Sequence, residues 1–380
     1  MRVELYAYKI VRVCEGLDRR ILRTVAVVVE ALVRGGQLSV TALGRALRCD
    51  TSARHGIKRV DRLLSNTRLQ LGLSSLYEVM ARRVVRDEHP IILIDWSKLG
   101  QDQHVLTAAL ALQGRSIPLL NEVYSERWLG HSRAHGRFLK QLRDVLPEGC
   151  RPVLVTDAGF RIPFFQQVEA MGWSFVGRLD NHLATRDCEQ SRWQDSQALL
   201  LEAASSAKDL GVRWFRKLAP VQLRVVLSAK PVPRRHEKRR CRNGSERKAR
   251  KRAPKPWLLA TNLENDAPRV VQIYRLRMHV EQWFRDTKNP RFGWALRFTR
   301  CSSRLRLQVL LLIAALATFI VLQAGLRAEA HGLQREFQAS SRRDRRWLSL
   351  FFLGQLVLQK AISTAHLLQT PPPSAVLSSP

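Results

Sequence analysis

The chain has 380 residues, with 64 Lys plus Arg against 32 Asp plus Glu, a formal charge of +32 at pH 7 and 45% hydrophobic residues. That length and apolar content allow a large buried core, in one big domain with insertions or in two to three modules, and exclude a short linear peptide or a chain too polar to fold. The charge calls for a polyanionic partner, and the dominance of Arg, whose planar fork matches phosphate oxygens, points to nucleic acid.

Six cysteines, at 14, 49, 150, 188, 241 and 301, show no C-x-x-C spacing. This speaks against a zinc module and a disulfide framework and suits a reducing cytoplasm. At the start, MRVELYAYKIVRVCEGLDRR has charges in every apolar run, so no secretory signal is expected. Residues 38–66, LSVTALGRALRCDTSARHGIKRVDRLLSN, read as two helices around a turn at Cys49 and Asp50. Arg54, Lys58 and Arg62 fall on one face of the second helix, and Ile57, Val60, Leu63 and Leu64 on the other. A DNA-binding helix-turn-helix and an ordinary helical hairpin with solvated arginines both fit.

From residue 91 the texture changes. IILID (91–95), HVLTAALAL (104–112) and IPLLNEVY (117–124) predict three antiparallel strands. GRFLKQLRDVL (136–146) reads as a helix, PVLVTD (152–157) as a buried strand, IPFFQQVEAM (162–171) as a helix and WSFVGRL (173–179) as a strand. The order βββαβαβ describes a mixed α/β sheet flanked by helices, as in ribonuclease-H-like folds. Residues 180–263 carry short β-like runs, RWFRKLA, QLRVVLSA and PWLLATNL, and predict an inserted β-rich subdomain. Within it, RRHEKRRCRNGSERKARKR (234–252) reads as a loop that phosphates would order, or as a localisation signal.

Residues 271–288 predict one helix. Tyr274, Arg277, Glu281 and Lys288 lie at offsets of 3, 7 and 14, which at about 100° per residue fall within roughly 60° of each other. One carboxylate thus stands in a basic frame, beside an apolar stripe of Ile273, Leu276, Val280, Trp283 and Phe284. An apolar helix at 305–327 and another near 347–361 follow, then a tail, TPPPSAVLSSP, expected to be disordered. The apolar run Val309–Leu322 spans 14 residues, short of the roughly 20 that cross a bilayer, and predicts a buried core helix rather than a membrane anchor.

Asp95 closes the first strand and Asp157 the strand after the first βα step. In a ribonuclease-H-like sheet those strands are neighbours, and a helix crossing that edge would bring Glu281 beside them. Each Asp alone also reads as a turn or cap residue. Three oxygen-donor acids together suit hard divalent cations, since bare clustered carboxylates would repel. His131 and His135, four apart, read as structural or as phosphate contacts rather than ligands, since Mg²⁺ does not favour imidazole.

The spacing Y-x₂-R-x₃-E-x₆-K, carried by Tyr274, Arg277, Glu281 and Lys288 with Asp95, Asp157 and the β-rich insertion, resembles the signature of DDE transposases of the bacterial insertion-sequence-four family. The resemblance implies Asp95, Asp157 and Glu281 as catalytic acids holding two Mg²⁺, with Mn²⁺ able to substitute. It implies phosphate contacts from Arg277 and Lys288, a hydroxyl contact from Tyr274, and in W-L-L-x-T a base-stacking Trp257. It further implies double-stranded DNA as partner, namely transposon ends and target, a homodimer in a synaptic complex, no membrane, and a nucleoid-associated place in a bacterial cytoplasm. The matching domain plan is a helical end-binding region at 1–85, a ribonuclease-H-like catalytic domain at 86–300 with its insertion, helices at 301–368 that assist assembly, and a tail at 369–380. Another ribonuclease-H-like nuclease and an inactive DNA-binding relic are the alternative readings.

Overall fold

The computed structural model describes residues 3–48, 52–100, 102–187, 192–229, 255–339 and 346–360. They form two compact units: one holds the chain up to Cys150 and again from Met278, the other holds Arg151–Arg277. The basic run at 234–252, the turn at Cys49 and Asp50, and the tail lie outside the described residues.

The first unit begins with α1 (Val3–Val11), α2 (Arg19–Val33), α3 (Val40–Ala46), α4 (Ala53–Leu64), α5 (Thr67–Leu71) and α6 (Leu73–Val84). Side-chain oxygens at the preceding residues start several of them: Asp18 accepts from Arg20 N–H, Ser39 from Ala42 N–H and Asn66 from Leu69 N–H. At the α3–α4 crossing Gly44 meets Gly56, and a Cβ on either would strike the backbone of the other helix. Strands β1 (Ile91–Lys98), β2 (Gln103–Leu112) and β3 (Arg115–Ser125) form the expected antiparallel meander in the order β3-β2-β1. Ala108 pairs with Leu120 and Ala109 with Pro118, so Leu119 is left over at a bulge; proline cannot donate to the ladder, which is why the irregularity falls there. Asn121 accepts from Thr107 at 2.8 Å and donates to the Tyr77 hydroxyl at 3.0 Å, joining the meander to α6. Helix α7 (Ser132–Val145) follows.

The second unit carries β4 (Val153–Thr156), α8 (Ile162–Glu169) and β5 (Ser174–Arg178), a βαβ step whose strands pair in parallel. Next come β6 (Ala184–Asp187), β7 (Gln194–Asp195), β8 (Lys208–Phe215), β9 (Val221–Leu227) and β10 (Leu258–Thr261). The inserted strands are as β-rich as expected, yet they form no separate sheet. β10 pairs antiparallel with β5, and the order runs β4-β5-β10-β9-β8-β6-β7. The Arg186 guanidinium of β6 lies 4.8 Å from the Trp193 ring centroid and 5.9 Å from that of Trp214 on β8. Helix α9 (Ala267–Arg275), capped by Asp266, completes the unit. The elements and their order make this a ribonuclease-H-like α/β fold.

Back in the first unit lie α10 (Met278–Lys288), α11 (Arg304–Ala330), α12 (Gln334–Phe337) and α13 (Leu350–Gln359). Helix α11 is 27 residues, long and apolar enough to cross a membrane, which the 14-residue reading of its centre did not anticipate. Its most apolar window is entirely buried within the protein, so burial rather than shortness makes it a core helix. Its polar residues find partners, as where Gln323 Oε1 accepts from the Tyr6 hydroxyl at 2.5 Å. Helix α13 packs on it through a second glycine crossing, Gly325 against Gly354, where a Cβ on Gly354 would collide with the Val321 carbonyl. Most of the apolar surplus in α13 is spent on this contact, with Phe351 edge-to-face on Trp294 at 4.9 Å.

Gly56→Ala and Gly354→Ala should each lower stability by about 1–3 kcal/mol, because a methyl must push two helices apart. Gly100→Ala, where a Cβ would meet nothing within 4 Å, should change it by less than about 0.5 kcal/mol. Urea unfolding of the three variants checks this, and equal losses in all three would remove the crossings as the cause.

Candidate active site

In the first unit Asp95 is buried in β1, opposite Thr107 of β2. Strand alternation puts Ser97 on the same face. Lys288 Nζ donates to Ser97 Oγ at 2.7 Å and stands close enough to Asp95 to feel its charge. Burial is the larger effect and pulls the Lys288 ammonium down to about 8, with the Asp95 carboxylate working in the opposite direction. Lys288 is therefore tied to the end of β1.

Glu281 lies in the first turn of α10 and is half-buried. The helix is clamped to the β2–β3 turn at both of its ends. Ser116 Oγ donates to the His279 carbonyl at 3.1 Å, two residues before Glu281. Five residues after it, Asp286 pairs with Arg115 at 3.0 Å, both largely buried. Burial raises the Asp286 carboxyl to about 6 even with Arg115 and Arg285 pulling it down. Trp294 N–H donates to the Asp286 carbonyl at 3.0 Å, and Gly293 leaves no room there for a Cβ.

The spacing had predicted one helix over 271–288, and the structure corrects this. Leu276 N–H donates to Ile273 O and Arg277 N–H to Tyr274 O, i→i−3 bonds that tighten and end α9, and α10 starts afresh at Met278. Tyr274 and Arg277 belong to the second unit, Glu281 and Lys288 to the first. The four residues do not form one helical stripe.

In the second unit Asp157 follows β4, and its Oδ1 accepts from Gly159 N–H at 2.8 Å, so it does serve as a turn residue. The parallel register pairs Thr156 with Gly177, which sets Asp157 and Arg178 at neighbouring strand ends. Gly177 is required because a Cβ would enter the Phe165 ring. Tyr274 is buried; burial raises its pKa, the charges of Arg277 and Arg178 lower it, and the Asp157 carboxylate raises it. Its ring meets Trp257 edge-to-face, centroids 5.0 Å apart at 64°. Trp257 is half-buried and fixed by its backbone, which donates to Ser228 Oγ at 2.8 Å. One constellation thus joins Asp157, Arg178, Tyr274, Arg277 and Trp257.

The remaining sequence candidates are also placed. Arg54, Lys58 and Arg62 are exposed on α4. His131 Nδ1 caps α7 by accepting from Arg133 N–H at 3.1 Å, and buried His135 accepts from Trp96 Nε1 at 3.1 Å, with burial lowering its pKa to about 4. Both histidines are structural.

Residues 88–318, more than half of the chain, match the family model described as the transposase DDE domain. The chain belongs to the DDE transposase family. No curated protein matches its sequence. Membership makes this a protein of DNA cleavage and transfer, with DNA as substrate, in a family that typically uses divalent metal ions.

In this DDE transposase the acids offer carboxylate oxygens, the hard donors Mg²⁺ takes, so their chemistry fits such an ion. Among the described residues no three His, Cys, Asp or Glu side chains are grouped closely enough to hold one. Sequence reasoning missed Arg178, Ser97, Arg115 and Asp286. The first was signalled only by strand register, and the pair only by charges of opposite sign 171 positions apart.

Arg115→Leu should destabilise the protein by about 3 kcal/mol, because it strands the buried Asp286 charge. Asp286 has its folded pKa raised above its unfolded value, from 3.8 to about 6. Its contribution is therefore complete below the unfolded value and disappears as pH rises through about 6. Chemical unfolding between pH 4 and 7 should show that decline in the wild type and a flatter curve in Asp286→Asn; identical curves would contradict the assignment.

Proposed function

We propose that this protein is a transposase of the insertion-sequence-four type, which binds the terminal inverted repeats of its element, cuts the DNA at the ends and joins the freed 3′-hydroxyls to target DNA. The observation that carries the reading is the setting of the two aspartates, Asp95 buried within β1 and Asp157 just past the end of β4, each near a cation of the signature: Lys288 near Asp95, and Arg277 around Tyr274 near Asp157, where Arg178 joins it. Asp95, Asp157 and Glu281 would hold two Mg²⁺, or Mn²⁺ in their place. Bound there, the ions would supply activation of the attacking oxygen and charge stabilisation on the leaving one. The metal reading rests on donor chemistry and on the family. Arg277 and Lys288 hold phosphate oxygens beside the scissile bond, and the Arg178 and Tyr274 contact keeps the strand end with Asp157 in a fixed orientation. The active species on two paired ends is a homodimer, which sedimentation of the protein on paired-end duplexes checks; a single protomer there would remove it.

Asp95→Asn, Asp157→Asn and Glu281→Gln should each abolish cleavage of a duplex carrying the element's end while leaving its binding within about threefold, because binding rests on phosphate contacts and chemistry on the acids. Gel-resolved cleavage in Mg²⁺ beside fluorescence anisotropy separates the two. A variant that still cuts at an appreciable rate would take its acid out of the site.

Trp257 serves as a platform for a base flipped from the duplex near the cut. Its incomplete burial, with the ring braced by Tyr274, supports this, and stacking on an indole returns roughly 1–3 kcal/mol against the cost of unstacking. Trp257→Ala should fold and bind ends but process the second strand poorly, and 2-aminopurine at the flipped position should lose its fluorescence change. A large fall in thermal stability with the base signal intact would instead make Trp257 a packing residue.

A further inference from the structure

Between α2 and α4 the first unit carries an open groove of about 470 Å³, lined by Arg20, His55, Lys58, Arg59 and Arg62 among others, with no acidic side chain in its wall. The two carboxylates nearest in sequence are engaged elsewhere. Asp61 binds Arg306 of α11 at 2.6 Å, and Asp18 caps α2 by accepting from Arg20 N–H at 2.6 Å. Arg59 reaches across the groove, its Nη2 3.5 Å from Thr24 Oγ1 on α2. Four permanently charged side chains thus converge on one concavity from two helices, all of them exposed. Such a surface repels itself unless an anion fills it, and several cations in a row match successive phosphates of a nucleic acid strand better than a single small anion. The wall's one side-chain amide, Asn66, already accepts from Leu69 N–H, which takes it out of bidentate adenine recognition.

We infer that this groove is a docking site for the sugar–phosphate backbone of duplex DNA, in which Arg20 and Arg59 each neutralise a phosphate, and that it positions DNA without reading sequence. The inference rests on the proposed transposase reading for its ligand. It differs from a recognition-helix reading of α4: it makes α2 half of the site, adds Arg20 and Arg59, and leaves Arg54, which is not among the groove residues, outside.

The test is anisotropy of the full-length protein with two 30-base-pair duplexes of unrelated sequence over a range of salt, for wild type, Arg20→Ala, Arg59→Ala, the double variant and the double Lys variant. Each phosphate contact contributes about 0.9 to the slope of log affinity against log salt, so the double Ala variant should lose about 1.8 of slope and roughly tenfold in affinity, equally on both duplexes. The double Lys variant, which keeps both charges, should retain most of the slope. An unchanged slope with affinity within about twofold would overturn the site, and a loss confined to one duplex would overturn its indifference to sequence. The two readings fail separately. A slope loss in the double Ala variant, with wild-type protein that never cuts an end duplex in Mg²⁺, would sink the transposase reading and leave the groove standing. Cutting with no slope loss would do the reverse.

Discussion

The buried pair of Arg115 and Asp286 is the constraint on which the placement of α10 in the first unit depends. Burial pushes each partner toward its neutral form, Asp286 up to about 6 and Arg115 below its usual value, so the pair adds little stability in itself. What it fixes is geometry. An amphipathic helix held only by apolar contacts can slide or rotate by a fraction of a turn at small cost, and α10 carries Glu281 on the edge of its apolar stripe. The ion pair on one turn, the Ser116 bond to the His279 carbonyl on another and Lys288 on Ser97 at the far end leave α10 a single rotation on the meander. Glu281 inherits its direction from these three contacts.

The same logic explains why so basic a chain places its acids where it does. Its net charge of +32 guarantees attraction to DNA almost anywhere on the surface, so charge alone cannot mark the place of reaction. On the proposed reading that place is marked by Asp95, buried within β1, and Asp157, held past the end of β4 by Gly159 N–H, together with cations that are themselves constrained. Lys288, bound to the end of β1, is no freely swinging phosphate hook, and Arg178 meets Tyr274 rather than open solvent. Constrained cations lose little rotamer freedom when a phosphate arrives, so more of each contact is realised as binding.

Much of this was legible in the sequence. The strands of the meander and of the βαβ step announce themselves by apolar runs ending in Asp95 and Asp157, because a strand buried on both faces has few other ways to be written. The break between α9 and α10 was not, since no Gly or Pro marks Leu276 and Arg277 and the apolar period continues across them. Arg178 and Ser97 gain meaning only from register, which places Arg178 beside Asp157 and Ser97 under Lys288. The insertion is β-rich, as its short runs predict, but the way it attaches is not written in them: only the β5–β10 pairing shows that its strands extend an existing sheet.

The helices at the start of the chain and the apolar helix near its end are tied within one unit. Arg306 on α11 binds Asp61 and Ser65 of α4, and α11 packs on β3, the strand that supplies Arg115. The α2–α4 groove and the clamp on α10 are therefore joined by a continuous path of packed elements, with α11 at its centre. A polar bond at the rim of that path does more than stabilise a surface. By pairing with the Asp61 carboxylate, Arg306 leaves the groove wall without a free acid, and by anchoring α4 to α11 it would let DNA docked as proposed pull on the same core that orients Glu281. The glycine crossings serve this path as well, because Gly56 and Gly354 let α4 and α13 approach close enough that backbone meets backbone, a contact too stiff to absorb the load by side-chain rearrangement.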